Sequence, residues 1–345
     1  MFGPTLRKTM IAALAVAGAT AAGAETINVT YVAGHPPVFR WVRLANEVFI
    51  PAVNKQLEGS GHTINWDEQY GGSLAKVGDE LEAVEEGLAE IGGISSVFDP
   101  AKLSLQNVTY YTPFVSSDPS LVVETIDALH ETNEAMLSTW QENGLEYLGG
   151  PIAIDDYILM TTFPVNSIED LKGKKIGAPG PAVNWLEGTG AVGVSGNLTT
   201  YYNEIKTGVY DGVIVFATAA LPGKLHEVAP HITRIGFGAQ YAGAIAANKD
   251  WFDSQPDAVQ KALKDAADTY KAAYLDDLDK AVTASFKAMQ AQGATISDVN
   301  AEFRQKWAAG MDNVAKKWAT QVDSEGKAGT EILKAYLDAI RAAGG

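Results

Sequence analysis

The apolar pattern in the middle of the chain alternates between a spacing typical of strands and one typical of helices. Short apolar runs at 175–178 and 213–216 predict buried strands, and apolar residues spaced three and four apart after Asn197 predict a helix capped by that residue. The turn at Pro179–Pro181 predicts another helix from Ala182, whose first backbone N–H groups gather beyond the end of a strand. This order of elements favours an α/β fold with parallel strand pairing and a ligand crevice at the strand ends.

Similar patterns predict elements on both sides of this region. Alternating or continuous apolar residues predict strands at 27–31, 64–66, 91–97 and 157–162, the last crossing between domains. Helical spacing predicts helices at 39–57, 74–86, 118–143, 254–292, 301–322 and 331–342. Pro51 should kink the first of these helices, and the spacing of Ser167 and Asp170 predicts a capping box.

The length of the chain indicates two domains. A chain of 345 residues with 46% apolar residues can bury two hydrophobic cores. We expect a leader at 1–24, an α/β domain I at 25–150, an α/β domain II at 151–250, and helices at 251–345 that span and complete both domains.

Residues 1–24 have the pattern of a signal peptide. Arg7 and Lys8 precede an apolar run, which is followed by the small residues of Ala22–Ala24. The run is shorter than the roughly 20 apolar residues that a spanning helix needs. We therefore expect cleavage after Ala24 and export of the mature chain.

The charge of the chain argues against a nucleic-acid partner. Without the leader, 24 Lys and Arg face 42 Asp and Glu, a formal charge of -18. Phosphate binding requires a basic surface, so a partner of this kind is not predicted. The chain contains no cysteine, which suits an exported protein and removes disulfides and cysteine nucleophiles from consideration.

No catalytic residue, metal site or cofactor is predicted. The Gly188–Gly190 and Gly71–Gly72 segments lack the spacing of nucleotide-binding loops, and no G-x-S-x-G motif occurs. The five histidines show no pair with a third ligand in helical register. Asp155 and Asp156 are adjacent, and neighbours on a strand point to opposite faces, so they are not expected to act as an acid/base pair.

Several segments together resemble a family of transport proteins. SIEDLKGKKI at 167–176, TGVYDGVIV at 207–215, the glycine-containing segment at 66–94 and LHEVAPHIT at 225–233 occur in one order. In that order they resemble the DctP-like solute-binding proteins of tripartite ATP-independent periplasmic (TRAP) transporters. The resemblance covers almost the whole chain after the leader.

The resemblance implies a fold, a location and a function. The implied fold is the type II-like two-domain periplasmic binding protein fold, with long C-terminal helices packing across both domains. The implied function is to capture a small organic acid in the periplasm by closure of the domains, without catalysis, and to deliver it to the membrane subunits of a TRAP transporter. A monomer is expected, with a dimer as the alternative.

One departure from the family pattern concerns the ligand. The family usually carries an arginine two residues after the last lysine of the KGKK-like run, where it pairs with the ligand carboxylate. This chain has Gly177 there, and Val213–Phe216 replaces the polar residue that follows the family's DG turn. A small dicarboxylate or short hydroxy acid is therefore disfavoured. The candidates to replace the arginine are Arg40 or Arg43, or Asn184 with the free N–H groups at the helix start in Pro181–Asn184.

The expected ligand is an aromatic or bulky monocarboxylate, since many aromatic residues occur in the segments that border the implied cleft. The alternatives are a sulfonate or small polar solute, an ABC-type importer or a sensor kinase as partner, and a secreted enzyme. The residues expected to bind the ligand are His35, Pro37, Arg40, Tyr70, Ser73, Ser96, Phe98, Tyr157, Gly177, Asn184, Trp185, Phe216 and Phe237.

Overall fold

The computed structural model describes residues 25–311 and 313–344. The leader predicted at 1–24 lies outside the described residues. Among these residues, no helix has both the length and the apolar character that crossing a membrane requires.

The strands of the described residues form two larger sheets and one small one. In chain order they are β1 (Glu25–Ala33), β2 (His62–Tyr70), β3 (Ile91–Ile94), β4 (Leu145–Gly149), β5 (Ala153–Ile154), β6 (Tyr157–Thr161), β7 (Lys175–Ala178), β8 (Val192–Ser195), β9 (Gly212–Phe216), β10 (His231–Arg234), β11 (Gln240–Tyr241), β12 (Ala244–Asn248) and β13 (Thr295–Asp298). The first sheet has the order β2-β1-β3-β12-β4, and the second has the order β13-β10-β6-β9-β7-β8. The fold therefore has two α/β lobes, one around each sheet.

The pairing in the second sheet confirms the parallel arrangement expected in the middle of the chain. β7 pairs in parallel with both β8 and β9, and its bounds are those that the apolar pattern predicts. β12 lies in the first sheet although it falls within 151–250, and β13 of the C-terminal region joins the second sheet. Each lobe is thus completed by a strand from a distant part of the chain.

The chain crosses between the lobes at β5 and again at β11, and these two short strands pair with each other in an antiparallel manner. The strand at Tyr157–Thr161 lies wholly in the second sheet, so the crossing predicted there occurs a few residues earlier. A pair of crossing segments that share one short ladder has the geometry of a hinge.

The described helices pack around the sheets. They are α1 (Arg40–Leu44), α2 (Ile50–Gln56), α3 (Glu80–Glu85), α4 (Pro119–Thr132), α5 (Glu134–Gln141), α6 (Tyr201–Lys206), α7 (Ala217–Ala220), α8 (Lys249–Ser254), α9 (Asp257–Ala291), α10 (Ala301–Gly310), α11 (Val314–Ser324) and α12 (Gly329–Ala342). Five 3₁₀ segments lie at Ser96–Phe98, Leu105–Tyr111, Ile168–Leu171, Gly180–Leu186 and Leu225–Glu227, and a π segment lies at Ala45–Phe49.

The 35-residue helix α9 connects the lobes. The hydroxyl of Tyr270 donates to the carbonyl of Trp41 at 3.0 Å, and the hydroxyl of Tyr274 donates to that of Ala153 at 2.7 Å. Further along, Met289 packs in the core of the second lobe. The C-terminal region therefore spans both lobes, as the resemblance implied.

Two predicted helices differ in type or continuity. The helix predicted from Ala182 is the 3₁₀ segment Gly180–Leu186. The helix predicted at 301–322 is divided into α10 and α11, and Asn313 between them has a φ of +53°.

Three further predicted helices differ in their bounds or caps. The helix predicted at 74–86 begins only at Glu80, because Gly78 has a φ of +93° and breaks the helical backbone. The helix predicted at 118–143 is divided at Asn133, which is extended and caps α5 by accepting the N–H of Ala135. Asn197 does not cap α6, since its carboxamide oxygen accepts the N–H of Thr199 within the preceding turn.

One local prediction is confirmed at 167–170, and the kink at Pro51 stays a prediction. Ser167 and Asp170 form a capping box, which here opens a 3₁₀ turn. The helical segment at 40–56 contains the π segment just before Pro51. Proline cannot donate to the preceding turn, so the wider π spacing accommodates it.

Candidate functional site

A cavity lies between the two sheets, and none of its lining residues is exposed. The closed lobes leave about 40 Å³ of free volume in it, which is well below the volume of a small-molecule pocket. The lobes or the lining side chains would therefore have to move apart to admit a solute. Its lining residues are His35, Trp41, Ser95, Val97, Phe98, Tyr110, Ile152, Ile154, Tyr157, Pro179, Asn197, Leu198, Tyr201, Ile214, Val215, Phe216 and Ala242.

His35 is a buried polar residue of the first lobe that lines the cavity. It follows β1 directly, is 3% exposed, and packs edge-on against Phe39 and Trp41. Neither ring nitrogen has a hydrogen-bond partner among the described residues. Burial lowers the pKa of His35 to about 3, so the imidazole is neutral near neutral pH. A neutral imidazole offers one donor and one acceptor.

The loop that carries His35 is fixed by a buried carboxyl group. Glu80 accepts the backbone N–H of Gly34 at 3.0 Å and that of Gly78 at 2.6 Å. Burial raises the pKa of Glu80 to about 7, in spite of these two hydrogen bonds. The side chain thus joins the loop after β1 to the turn before α3, and positions His35 at the edge of the cavity.

The second lobe contributes two aromatic side chains from adjacent strands. Tyr157 begins β6 and Phe216 ends β9, and the two residues are paired across the antiparallel ladder. Their rings meet edge-on with 5.3 Å between centroids. Tyr201, the first residue of α6, also lines the cavity, and its hydroxyl has no hydrogen-bond partner among the described residues.

Two contacts between the lobes close the cavity. The hydroxyl groups of Tyr110 and Tyr157 form a hydrogen bond of 2.9 Å. Gly180 lies so close to the first lobe that a Cβ atom there would be 2.1 Å from the carbonyl oxygen of Val97. Only glycine permits this approach, and the φ of Gly180 is +43°. The lobes are therefore closed over the cavity.

Among the described residues that line the cavity, none is Lys, Arg, Asp or Glu. The carboxyl group of Asp155, which is 2% exposed, follows the lining residue Ile154 and accepts the N–H of Ala217 at 3.0 Å. Burial raises the pKa of Asp155 to about 6. The carboxyl group next to Ile154 therefore binds its proton more tightly than an ordinary aspartate does, and the lining itself contains no charged side chain.

Four of the residues expected to bind the ligand line the cavity: His35, Phe98, Tyr157 and Phe216. The other nine lie outside its lining. Ser96 is buried behind it, Tyr70 donates its hydroxyl to Glu68, and the remaining seven are Pro37, Arg40, Ser73, Gly177, Asn184, Trp185 and Phe237.

The position of Trp185 shows why an aromatic residue beside a predicted cleft turn need not face the cleft. Its indole N–H donates to the carbonyl of Tyr110 at 2.7 Å, and its ring stacks between Tyr110 and Phe237. Trp185 and Phe237 are fully buried. They support the cavity wall from behind instead of lining it.

Arg40 also lies away from the cavity lining. It is half-buried at the start of α1. Burial raises the pKa values of Tyr270 and Tyr274 on α9, and the positive charge of Arg40 opposes part of this rise. The guanidinium is therefore near the connecting helix. The next residue, Trp41, is the one that lines the cavity.

Gly177 faces the core of the second lobe. A Cβ atom at this position would lie 2.9 Å from the Tyr210 ring and 3.1 Å from the Val213 side chain. Tyr210 thus occupies the space into which a larger residue at 177 would extend. The space beside the strand is filled by an aromatic ring, and no cation replaces the family's arginine at this point.

We expect Gly177→Arg to lower the free energy of unfolding by about 2 kcal/mol, since overpacking a buried site typically costs this much. Urea unfolding measured by tryptophan fluorescence would test this. Lys175→Arg, at an exposed position of the same strand, should leave stability unchanged. A Gly177→Arg variant as stable as the unmodified protein would contradict the packing described for Tyr210.

The sequence did not point to several lining residues. Tyr201 has helical spacing and was assigned to a packed helix face, and Tyr110 lies in a 3₁₀ segment that the pattern does not mark. Ser95 and Asn197 carry one usable signal, since Ser95 directly follows the buried strand β3 and Asn197 follows closely on the partly exposed strand β8. A ligand in a crevice at the strand ends contacts the residues that follow the strands, so polar residues at those positions can bind it.

Among the described residues, no group of three or more His, Asp or Glu side chains is arranged to hold a metal ion. The polar residues of the lining are His35, Ser95, Asn197, Tyr201 and the Tyr110–Tyr157 pair, and the rest of the wall is apolar. Its chemistry is that of recognition by shape and a few polar contacts.

The family model described as bacterial extracellular solute-binding protein, family 7 (DctP), matches residues 45–321. This match covers most of the chain and agrees with the resemblance found in its motifs. No curated protein sequence matches the chain significantly.

Solved structures share the fold at low sequence identity. DctP7 of Bordetella pertussis, an extracytoplasmic solute receptor binding pyroglutamic acid, is 18% identical with a TM-score of 0.79, over 90% of this chain and 99% of that one. The periplasmic ectoine-binding protein from the TeaABC TRAP transporter of Halomonas elongata is 23% identical with a TM-score of 0.77, over 92% and 100%. A TRAP periplasmic solute-binding protein from Sulfitobacter sp. NAS-14.1, with bound β-D-galacturonate, is 19% identical with a TM-score of 0.77, over 91% and 100%.

Proposed function

Because the chain belongs to the bacterial extracellular solute-binding protein family 7, we propose that it captures a small organic solute in the periplasm and delivers it to the membrane subunits of a TRAP transporter. The observation that carries the proposal is the closed, mostly apolar cavity between two hinged lobes. The three structural neighbours described above, which bind or carry small solutes, support the same role.

Capture would proceed by closure of the lobes around the solute. The two crossing strands β5 and β11 would act as the hinge, and the contacts of Tyr110 with Tyr157 and of Val97 with Gly180 would form as the lobes meet. A solute shifts this equilibrium only by its difference in affinity for the open and closed forms. The closed form would be the one that the membrane subunits recognise.

The composition of the cavity wall supports the expectation of a solute with an aromatic or alicyclic body, which the lobes would move apart to admit. Apolar and aromatic side chains make up most of the wall, and the polar groups are few and separated. The expectation of a monocarboxylate came from the sequence, and an organic acid of this shape is the starting hypothesis. An ABC-type importer as partner is the second candidate, which neighbouring transport genes would distinguish.

A thermal-shift screen of residues 25–345 against several hundred small organic solutes would test the proposal. A solute that binds only the folded protein stabilises it by about 2.7 kcal/mol at a hundredfold excess over its dissociation constant, so the melting temperature should rise. Small-angle scattering should then show a more compact protein with the bound solute. Melting temperatures that stay constant across the whole library would contradict the proposal, and so would turnover of a bound solute.

A further inference from the structure

The cavity contains unpaired polar atoms but no ion to balance a charged ligand. The lining residues among those described include no cation, and the sequence places glycine where the family's arginine would stand. Moving an ionised carboxylate from water into such a wall is unfavourable unless a cation or several donors compensate it.

The unpaired atoms match a ligand group that both donates and accepts. The neutral imidazole of His35 presents one N–H and one lone pair, and both nitrogens lack partners among the described residues. A carboxylate has no hydrogen to donate, so one imidazole nitrogen would stay unpaired against it or face its negative charge. An amide, a lactam or an alcohol can satisfy both kinds of site.

Tyr201 adds a second polar atom on the opposite lobe. Its hydroxyl is buried and has no partner among the described residues, while its ring belongs to the core of the second lobe. A buried hydroxyl without a partner costs free energy in the empty protein. A solute that hydrogen-bonds both His35 and Tyr201 would remove this cost when the lobes close.

The surroundings of the cavity also oppose an anion. The carboxyl of Asp155 lies behind the wall at Ile154, and the predicted mature chain has a formal charge of -18. The negative charge of Asp155 and the net negative charge of the chain both repel a negative solute. No cation in the described lining counteracts this repulsion.

Resting on the proposed function, we infer that this receptor selects an uncharged solute: a compact aromatic or alicyclic body that carries one amide, lactam or hydroxyl group, held by His35 and Tyr201. The inference keeps the proposed role as a solute receptor and replaces the starting hypothesis of an organic acid by an uncharged solute. It replaces the family's charge pairing at position 177 by neutral hydrogen bonds in the cavity.

Acid and amide pairs of the same shape test the inference. Benzoate with benzamide, phenylacetate with phenylacetamide, and cyclohexanecarboxylate with cyclohexanecarboxamide would be titrated by calorimetry at neutral pH. We expect an amide to bind at least about tenfold more tightly than its matched acid. An acid that binds more tightly than its amide overturns the inference and leaves the proposed function standing. Absence of binding by every pair also overturns the inference, and the proposed function fails with it only if the wider solute screen is negative as well.

Two tyrosine variants test the assigned contact. Tyr201→Phe should weaken binding of the preferred amide about tenfold, by loss of one hydrogen bond, without lowering the melting temperature of the empty protein. Tyr210→Phe, at a ring that packs beside Tyr201 but does not line the cavity, should change neither the affinity nor the preference for amides. Equal affinities in Tyr201→Phe and the unmodified protein would overturn the role of Tyr201.

Discussion

Gly180→Ala is expected to lower the affinity for the bound solute at least about a hundredfold, equivalent to about 3 kcal/mol. The new methyl group would lie 2.1 Å from the carbonyl oxygen of Val97 in the closed form, so the lobes would have to stop short of closure. In the open form this contact is absent, and the variant should still fold. Calorimetry with a solute identified by the screen would measure the loss, and small-angle scattering should show a protein that stays open with solute present.

The backbone strain of the substitution needs a separate control. Gly180 has a positive φ, and alanine in this region costs roughly 1 to 2 kcal/mol whatever the space around it. Gly173 has a φ of +76° and no atom within 4 Å of the position of an added Cβ. Gly173→Ala should therefore lose stability but keep its affinity. If both variants bind the solute as tightly as the unmodified protein, the Val97–Gly180 contact does not limit closure.

Much of the fold could be predicted from the sequence, because short apolar runs and the turns that bound them are local features of the chain. The strand Lys175–Ala178 is a short apolar run between a glycine turn and a proline turn, and its bounds follow from that punctuation. The start of the helix predicted at 74–86 was wrong for an equally local reason, because Gly78 has a positive φ and the helix begins only after it. Periodicity alone did not distinguish the turn before Glu80 from the helix after it.

The placement of β12 and β13 could not be predicted in this way. β12 enters the first sheet from beyond the second crossing, and β13 joins the second sheet after the whole of α9. Such pairings depend on contacts between residues far apart in the chain. The resemblance implied that the C-terminal region completes both domains, but no local pattern identifies which strand joins which sheet.

Side-chain direction limited the prediction of the site. Arg40 and Trp41 are adjacent, but successive residues of a helix are about 100° apart, so Trp41 lines the cavity while Arg40 faces α9. Trp185 follows the predicted turn closely, yet its indole donates to Tyr110 behind the wall. His35, which we predicted to lie in a cleft loop, lines the cavity, because its loop comes directly after the end of β1.

His35→Phe is expected to weaken solute binding by about a hundredfold while raising the free energy of unfolding by about 1 kcal/mol. Phenylalanine keeps an aromatic ring against Phe39 and Trp41 but removes both nitrogens. These nitrogens have no partners among the described residues, so the empty protein loses no hydrogen bond and is relieved of buried polar atoms. Calorimetry would measure the affinity, and urea unfolding without solute would measure the stability.

The same substitution at His130 provides the matched control. His130 is also buried, but its Nδ1 lies 2.9 Å from the carbonyl of Ile126 and its Nε2 accepts the indole N–H of Trp140 at 3.2 Å. His130→Phe should therefore lose stability and keep its affinity, the reverse of His35→Phe. A residue that serves binding can lower the free energy of unfolding of the empty protein, whereas a structural residue raises it. If His35→Phe destabilised the protein as His130→Phe does, and bound solute normally, His35 would be a structural residue and the cavity would hold its ligand by other groups.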